Sequence, residues 1–219
     1  MEVNALEGFK IVYEGAVAEI VEKKSRFIAY VRPVNTEDEA TSFIDEIKKK
    51  HWDARHNCSA FVIGKNNELT RCSDDGEPSG TAGKPMLEVL LGQGLHNVAV
   101  VVTRYFGGVL LGTGGLVRAY QAAVKEGILA SKVLEKFEGA MYKVETDYNG
   151  IGKIQYILAK ENINTLGVDY SDKVVVEFVV KSDEEGKIVK EITEATAGKA
   201  GIERVEELVF GVVDGEVIL

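Results

Sequence analysis

The stretch VVVTRYFGGVLLGTGGLVRAY, Val100 to Tyr120, decides the fold, because it leads from a strand into a helix through a glycine-rich loop. Val98 to Thr103 has the apolar character of a buried strand. The apolar residues that follow the loop recur at helical spacing: Leu116, Val117, Tyr120 and Val124. A glycine loop between a strand and a helix is a common phosphate-binding setting, so the known phosphate fingerprints are the first test.

Neither phosphate fingerprint is complete in this loop. A Walker A loop requires glycine, four residues and then Gly-Lys; Gly107 to Gly112 has that spacing, but Thr113 replaces the lysine. The dinucleotide fingerprint requires a glycine three residues after Gly114, where Val117 stands instead. These two nucleotide-binding classes are therefore excluded.

A more general anion site stays open at the start of the helix. Gly114 and Gly115 leave backbone N–H groups unobstructed there. Arg104 and Arg118 flank the loop, and guanidinium groups bind phosphate well. We therefore predict a phosphate-type anion at this position. The alternative is that the glycines serve only positive φ angles and close packing.

A second loop, DDGEPSGTAGKPM (Asp74 to Met86), combines carboxylates with glycines. In an enzyme, Asp74 or Asp75 would pair with Glu77 as acid and base, or the carboxylates would hold a hard cation. The alternating acidic spacing of a calcium loop is absent. The structural alternative is that the aspartates bond their own backbone, Gly76 makes a turn, and Ser79 or Thr81 caps a helix that begins at Pro85.

The segment HWDARHNC, His51 to Cys58, places two histidines, Asp53 and an arginine just before a strand. As a catalytic His-Asp group it lacks a serine in a recognisable nucleophile motif. A loop with satisfied polar groups is the alternative. Trp52 is predicted to anchor the core rather than to serve as a base-stacking platform. Cys58 and Cys72 are predicted to be two buried free thiols, and the sequence predicts neither a metal site nor a cofactor.

The composition limits the class of protein and its partners. The chain has no apolar run long enough to span a bilayer and no basic, apolar leader at its start, so we expect a cytoplasmic protein without a membrane partner. The net charge is −9, and it is uneven. Residues 1–135 hold 16 basic and 18 acidic side chains, whereas residues 136–219 hold 10 and 17. The acidity therefore lies in the last third, and the first part is free to carry a basic face.

The chain divides into two predicted domains, residues 1–135 and 139–219, with the boundary at Glu135 to Gly139. The first contains a helix with a capping box at Thr36 and several strands: Val17 to Glu22, Arg26 to Val34, and a hairpin of Cys58 to Ile63 with Leu69 to Ser73. The second has the order βαββαβ, the ferredoxin-like pattern. Its first helix is predicted to be capped by Asn149.

Four stretches together resemble the YigZ/IMPACT family. They are KKSRFIAY (Lys23 to Tyr30), DARHNCSAF (Asp53 to Phe61), DDGEPSGTAGKPML (Asp74 to Leu87) and Val100 to Tyr120. The similarity runs in order over about residues 20 to 130, and the last two stretches are long and unusual in composition. The C-terminal part resembles the small extra domain of the bacterial members.

This resemblance implies an α+β fold. The first domain would be an α/β sandwich like ribosomal proteins and domain four of elongation factor G, and the second a ferredoxin-like domain. The resemblance also implies a link to translation, since the eukaryotic relatives control it by competing for the activator of a stress kinase. The bacterial members carry no established reaction. The eukaryotic partner-binding domain is not visible in this sequence, so kinase control is not carried over.

The resulting hypothesis is a noncatalytic, translation-associated regulatory protein that contacts structured RNA or the ribosome through its first domain. The residues predicted to bind nucleic acid or an anion are Lys24, Arg26, His56, Lys84, Arg104, Gly114, Gly115 and Arg118. The alternative is an enzyme acting on a small phosphorylated or acidic substrate in a cleft between the Asp74–Pro85 and Gly107–Gly115 loops. Its active site, or the loop structure in the first hypothesis, would use Asp53, Asp74, Asp75, Glu77 and Thr81. The oligomeric state stays open.

Overall fold

The computed structural model describes residues 9–213 and 216–219, and the chain forms an α+β fold. Two compact units can be distinguished, residues 9–134 and residues 135–219. We call them the N-terminal unit and the C-terminal unit. In the described part of the chain, every helix is too short or too polar to cross a membrane.

The N-terminal unit has a five-stranded antiparallel sheet with the order β2-β3-β7-β4-β5. A short parallel pair, β1 with β6, lies outside this sheet. The elements are β1 (Phe9–Glu14), β2 (Val17–Glu22), β3 (Ser25–Pro33), α1 (Glu37–Lys50), β4 (His56–Ile63), β5 (Leu69–Ser73), α2 (Gly83–Gly92), β6 (Leu95–His96), β7 (Val98–Tyr105) and α3 (Thr113–Ala130). The predicted strands, hairpin and helices of this unit are confirmed.

Helices cover both faces of this sheet because its central strands are apolar on both sides. On one face Phe27, Cys58 and Val102 belong to a core shared with α2 and α3. On the other face Ile28 and Val101 pack with α1. Successive side chains of a strand point to opposite faces, so β3 and β7 each contribute to both cores.

The predicted capping box of α1 is confirmed with one difference. The Glu39 N–H donates to Thr36 Oγ1, 3.2 Å away. The Glu39 carboxylate accepts from the N–H of Asn35 rather than from that of Thr36. Acidic residues fill the first turn and three lysines fill the last, as the helix dipole favours.

The C-terminal unit has the βαββαβ order of a ferredoxin-like domain, as predicted, followed by one short strand that was not predicted. The elements are β8 (Lys132–Thr146), α4 (Ile151–Lys160), β9 (Thr165–Tyr170), β10 (Val174–Lys181), α5 (Glu185–Ala195), β11 (Gly201–Val213) and β12 (Glu216–Ile218). In this unit the strands are antiparallel in the order β9-β10-β8-β11-β12. The two helices bury Ile154, Leu158, Ile188 and Ile192 against the sheet.

The structure differs locally from two sequence predictions about this unit. The N-cap residue of α4 is Gly150, and no side chain caps the helix, so the prediction of a cap by Asn149 is wrong. Asp147 Oδ1 accepts the N–H groups of Asn149 and Gly150 in the turn before the helix. The predicted boundary at Glu135–Gly139 lies inside β8, where Phe137 is paired with Phe210 of β11. Whether residues 1–135 and 139–219 behave as separate domains remains a prediction.

Candidate functional site

The conspicuous sequence motifs converge at one end of the N-terminal sheet. Because neighbouring strands are antiparallel, the starts of β3 and β4 lie beside the ends of β5 and β7. Arg26 is paired with Tyr105, and His56 with Arg104. Helices α2 and α3 begin after the loops that leave this end. We call it the loop end; it comprises residues 23–26, 51–57, 74–84 and 104–118.

Asp74 caps α2 across the loop. Its carboxylate accepts the N–H groups of Gly80, Ala82 and Gly83 at 2.8, 3.0 and 2.8 Å. Burial alone would raise the pKa of Asp74, but these N–H groups outweigh burial and hold the pKa below its ordinary value. The predicted cap by Ser79 or Thr81 is therefore wrong. The Thr81 hydroxyl instead donates to the Pro78 carbonyl.

Asp75 ties the same loop to α1 and β4. Its Oδ2 accepts the Asn57 N–H at 2.7 Å, and its Oδ1 lies 2.8 Å from Lys48 Nζ. The Asp75 carbonyl accepts from Nδ1 of His56 at 2.9 Å. Both polar groups of Asp75 are thus engaged within the protein.

Glu77 is the centre of a buried polar cluster on the α2 and α3 side of the sheet. Its Oε1 accepts from Arg104 Nη1 at 2.6 Å and from the Tyr120 hydroxyl at 2.9 Å. Nε2 of His56 lies 4.0 Å from the same oxygen. Cys58 Sγ is 3.3 Å from the Tyr120 hydroxyl. Burial raises the pKa of Cys58 to about 12 and also raises that of Tyr120.

The interior position of Arg104 corrects the prediction that it lies on an exposed basic face. Only 8% of its side chain is exposed, because the buried carboxylate of Glu77 needs a counter-charge. The guanidinium lies over the rings of Phe27 and Phe106, with 5.4 and 5.6 Å to the centroids. Arg104 Nε has no hydrogen-bond partner among the residues that the structure describes.

A series of hydrogen-bonded polar side chains lies on the α1 side of the sheet. The Tyr30 hydroxyl is 2.6 Å from His51 Nε2, and His51 Nδ1 is 2.9 Å from the Tyr105 hydroxyl. That hydroxyl donates to Asp53 Oδ1 at 2.9 Å. Since the Tyr105 hydroxyl donates to Asp53, it accepts from Nδ1–H of His51. Burial lowers the pKa of this ring, which favours its neutral form.

Trp52 lies between His51 and Asp53 in the sequence and is not a core residue. Its side chain is 83% exposed, so the prediction of a core anchor is wrong. The backbone turns at this point, and the Ala54 N–H donates to the His51 carbonyl. The turn directs the indole toward solvent, while the side chains of His51 and Asp53 bond to the Tyr105 hydroxyl. Cys72 is likewise exposed, so only Cys58 is the predicted buried thiol.

The glycine loop before α3 requires three of its glycines for backbone reasons. A Cβ on Gly107 would lie 2.1 Å from the Lys24 carbonyl oxygen, so the two backbones meet there without a side chain. Gly108 and Gly112, the N-cap residue of α3, have φ at +84° and +73°, a left-handed conformation. Gly114 and Gly115 lie in the first turn of α3, as predicted for a helix N-terminus.

Arg118 lies next to that first turn. Its Nη1 is 3.7 Å from the position that a Gly114 Cβ would occupy, and its side chain is exposed. The cap residue Gly112 offers no side-chain acceptor to the helix N–H groups. The predicted anion residues Gly114, Gly115 and Arg118 are therefore neighbours. An oxyanion held there would meet N–H groups, the positive end of the dipole and a guanidinium.

Several cations of the loop end face solvent. Lys24, Lys84 and Arg118 are exposed, and so is Arg55, which the sequence interpretation left out. None of these four has a carboxylate partner in residues 9–213 and 216–219. Arg26 differs, since its guanidinium is bidentate with Glu19 at 3.0 and 2.9 Å. An arginine between two histidines in a loop was the available signal for Arg55.

The acidic and the basic side chains of the loop end differ in their exposure to solvent. The carboxylates of Asp74, Asp75 and Glu77 are bound by N–H groups or by cations inside the unit, whereas four cations point outward. A general acid or base must reach its substrate, whereas these carboxylates are already bonded to groups inside the unit. Among the described residues, no group of three or more His, Cys, Asp or Glu side chains is arranged to hold a metal ion.

Two family models and several known proteins match the sequence of this chain. Residues 23–128 match the Impact N-terminal domain, and residues 144–199 match a domain of unknown function, DUF1949. The chain is 45% identical over 201 residues to the IMPACT family member YvyE of Bacillus subtilis, covering 92% of this chain and 93% of that protein. It is 33% identical to the IMPACT family member YigZ of Escherichia coli, covering 84% and 92%.

A solved structure supports the same relationship over the whole chain. The crystal structure of a hypothetical protein is 31% identical and superimposes with a TM-score of 0.58, covering 92% of this chain and 98% of that one. Two full-length relatives above 30% identity and the match of both domains establish the relationship. The chain belongs to the IMPACT family.

Proposed function

We propose that this protein is a noncatalytic, translation-associated regulatory protein whose loop end contacts structured RNA, free or within the ribosome. The single observation that carries the proposal is the separation of charges at the loop end. Lys24, Arg55, Lys84 and Arg118 are exposed without carboxylate partners in the described residues, while the acids of the same loops are bound internally. RNA presents phosphates, which bind exposed cations of this kind.

The division of charge along the chain supports the same proposal. The first 135 residues are nearly neutral, whereas residues 136–219 hold 10 basic and 17 acidic side chains. An acidic unit repels phosphate, so we assign the RNA contact to the N-terminal unit. Family membership supports the link to translation, which the resemblance implies through the eukaryotic relatives. A translation-associated role would place the protein in the cytoplasm.

The site at α3 would hold one phosphate of the RNA. Arg118 lies beside the first turn of the helix, and Gly114 and Gly115 allow an oxyanion to approach the N–H groups closely. Titration of inorganic phosphate should therefore move the backbone amide signals of residues 112–116 saturably, and less in Arg118→Ala. Wild-type amides that do not move would mean that these glycines serve only the backbone.

The main experiment measures affinity for a hairpin RNA as a function of salt. Each phosphate contact that is lost should weaken binding and reduce the magnitude of the slope of log K against log salt by about one. We expect this for Lys24→Ala, Lys84→Ala and Arg118→Ala separately. Arg104→Ala is unsuitable, because it removes a buried charge and would disturb the fold.

Lys125 supplies the matched control. It is an exposed lysine on the same helix as Arg118, and it lies about 18 Å from the first residue of α3 at 1.5 Å per residue. Lys125→Ala removes the same charge but should leave the affinity and the salt slope unchanged. An equal loss of affinity in Lys125→Ala would show that the effect depends only on the net charge of the protein. Absence of RNA binding by the wild type would refute the proposal and favour a small anionic substrate.

A further inference from the structure

Trp52 is the only tryptophan of the chain, and it is more exposed than a large aromatic residue normally is. Its side chain is 83% accessible to solvent. An indole left in water loses the stabilisation that burial would give it. The position therefore calls for an explanation other than packing of this chain.

The turn that carries Trp52 is fixed on both sides. His51 and Asp53 both hydrogen-bond to the Tyr105 hydroxyl at 2.9 Å, and Tyr105 belongs to the central strand β7. Asn57 Nδ2 also approaches the His51 carbonyl at 3.5 Å. The indole is thus presented from a held turn, so little conformational entropy of the backbone is lost when a partner covers it.

The charge around the indole favours a polyanionic partner. Lys49 and Arg55 are exposed on either side in sequence, and neither has a carboxylate partner in the part of the chain that the structure describes. The nearest acid in sequence is Asp53, and its carboxylate already accepts from Tyr105. An aromatic face with cations beside it is the combination that binds the bases and phosphates of single-stranded nucleic acid.

We infer that Trp52 stacks on an unpaired base of the RNA, so that the ligand of the loop end is RNA with a single-stranded loop or bulge rather than a uniform duplex. This inference rests on the proposed RNA contact and names the part of the RNA that is recognised. The bases of an A-form duplex are stacked on one another and offer no free face to an indole. Lys49 and Arg55 would hold the phosphates that flank the stacked base.

The experiment uses the natural fluorescence of Trp52, which no other tryptophan obscures. Full-length protein is titrated with a single-stranded oligouridine, with a hairpin RNA and with a blunt duplex, while binding is followed separately by anisotropy of labelled RNA. We expect the first two to quench the emission on binding. The duplex should bind more weakly and leave the emission unchanged.

Variants then test the stacking itself. Trp52→Ala should weaken binding of the hairpin by about 5- to 150-fold, the range for one stacked base, and change duplex binding less than twofold. Trp52→Phe should keep most of the affinity. Tyr156, an aromatic residue that is 70% exposed in the C-terminal unit, gives the control, and Tyr156→Ala should bind as the wild type does.

Each other outcome overturns the inference in a distinguishable way. RNA that binds with unchanged emission and an unaffected Trp52→Ala variant refutes stacking but leaves the RNA contact standing. No binding of any RNA refutes the proposed function itself. Trp52 emission that responds only to protein components of the ribosome would assign the indole to a protein interface.

Discussion

Arg104 Nη1 lies 2.6 Å from Glu77 Oε1, and the two side chains are 8% and 3% exposed. This is a buried ion pair that joins the Asp74–Gly83 loop to the end of β7. In such a pair the desolvation of both charges is large, and their attraction offsets it only while both are present. The Tyr120 hydroxyl, which also donates to Glu77, completes the shell around the carboxylate.

The first prediction follows from that pair. Arg104→Met and Glu77→Leu should each lower the free energy of unfolding by about 3–5 kcal/mol, because each leaves one uncompensated buried charge. The double variant should lose much less than the sum of the two. Urea unfolding of the wild type and the three variants measures this. Additive losses would show that the two charges do not interact.

The two thiols should differ strongly in reactivity. Cys72 is exposed, whereas burial raises the pKa of Cys58 to about 12, and only a thiolate reacts quickly. We expect one thiol per folded chain to react with a disulfide reagent at neutral pH, and two after unfolding in urea. Cys72→Ser should abolish the fast reaction. A fast reaction that survives in Cys72→Ser would mean that Cys58 is accessible.

Stability should fall as the pH drops below the ordinary pKa of histidine because of His51. Burial, with a smaller contribution from Lys50, lowers its pKa from 6.5 in the folded protein. The unfolded chain therefore takes up the proton first, so the stability is present above pH 6.5 and is lost as the pH falls toward the folded pKa. Urea unfolding across this range measures the effect.

The control for this pH dependence is a second histidine. His51→Gln should reduce the loss of stability at acidic pH, while the same change at His96, whose Nδ1 lies 3.1 Å from the Gly64 carbonyl, should keep it. The charged groups that act on His51 are Lys50, Asp53 and Arg26, and its ring bonds to the hydroxyls of Tyr30 and Tyr105. An acid dependence that is identical in wild type and His51→Gln would assign it to other residues.

Independent folding of the N-terminal unit is a further prediction. Residues 9–134 contain the complete five-stranded sheet and both of its cores. We expect this fragment to unfold cooperatively in urea, and a fragment without a cooperative transition would contradict the division. In the intact chain, proteolysis at Glu135–Gly139 requires β8 to leave its pairing with β11, so we expect it only after local opening.

The sequence predicted most of the elements but missed β1, β6 and β12, and it did not predict long-range partners. The predicted strands follow from apolar alternation or apolar runs, and the start of α1 follows from Thr36 and Glu39, which are three residues apart. These signals are local. The βαββαβ order of the C-terminal unit was also predictable, because it needs only the order of the elements.

The main contacts of the candidate site could not be predicted from local sequence patterns. Arg104 looked like a surface cation because its partner Glu77 is 27 residues away, and no local pattern encodes that contact. Asp74 caps α2 from nine residues before Gly83, beyond the reach of a capping motif. Trp52 was misplaced because residue type predicts burial only on average.

The hydrogen bonds of the Asp74–Gly83 loop also imply an order of folding. Asp74 contacts N–H groups six to nine residues away, whereas Glu77 reaches Arg104 across 27 residues and Tyr120 across 43. Closing a longer loop loses more chain entropy, so the start of α2 should form before the Glu77 cluster locks. Truncation of Asp74 should then give a higher φ-value than truncation of Arg104, and equal values would exclude this order. Of the two acids that the sequence suggests for catalysis, Asp74 would therefore make an early contact in folding and Glu77 a late one.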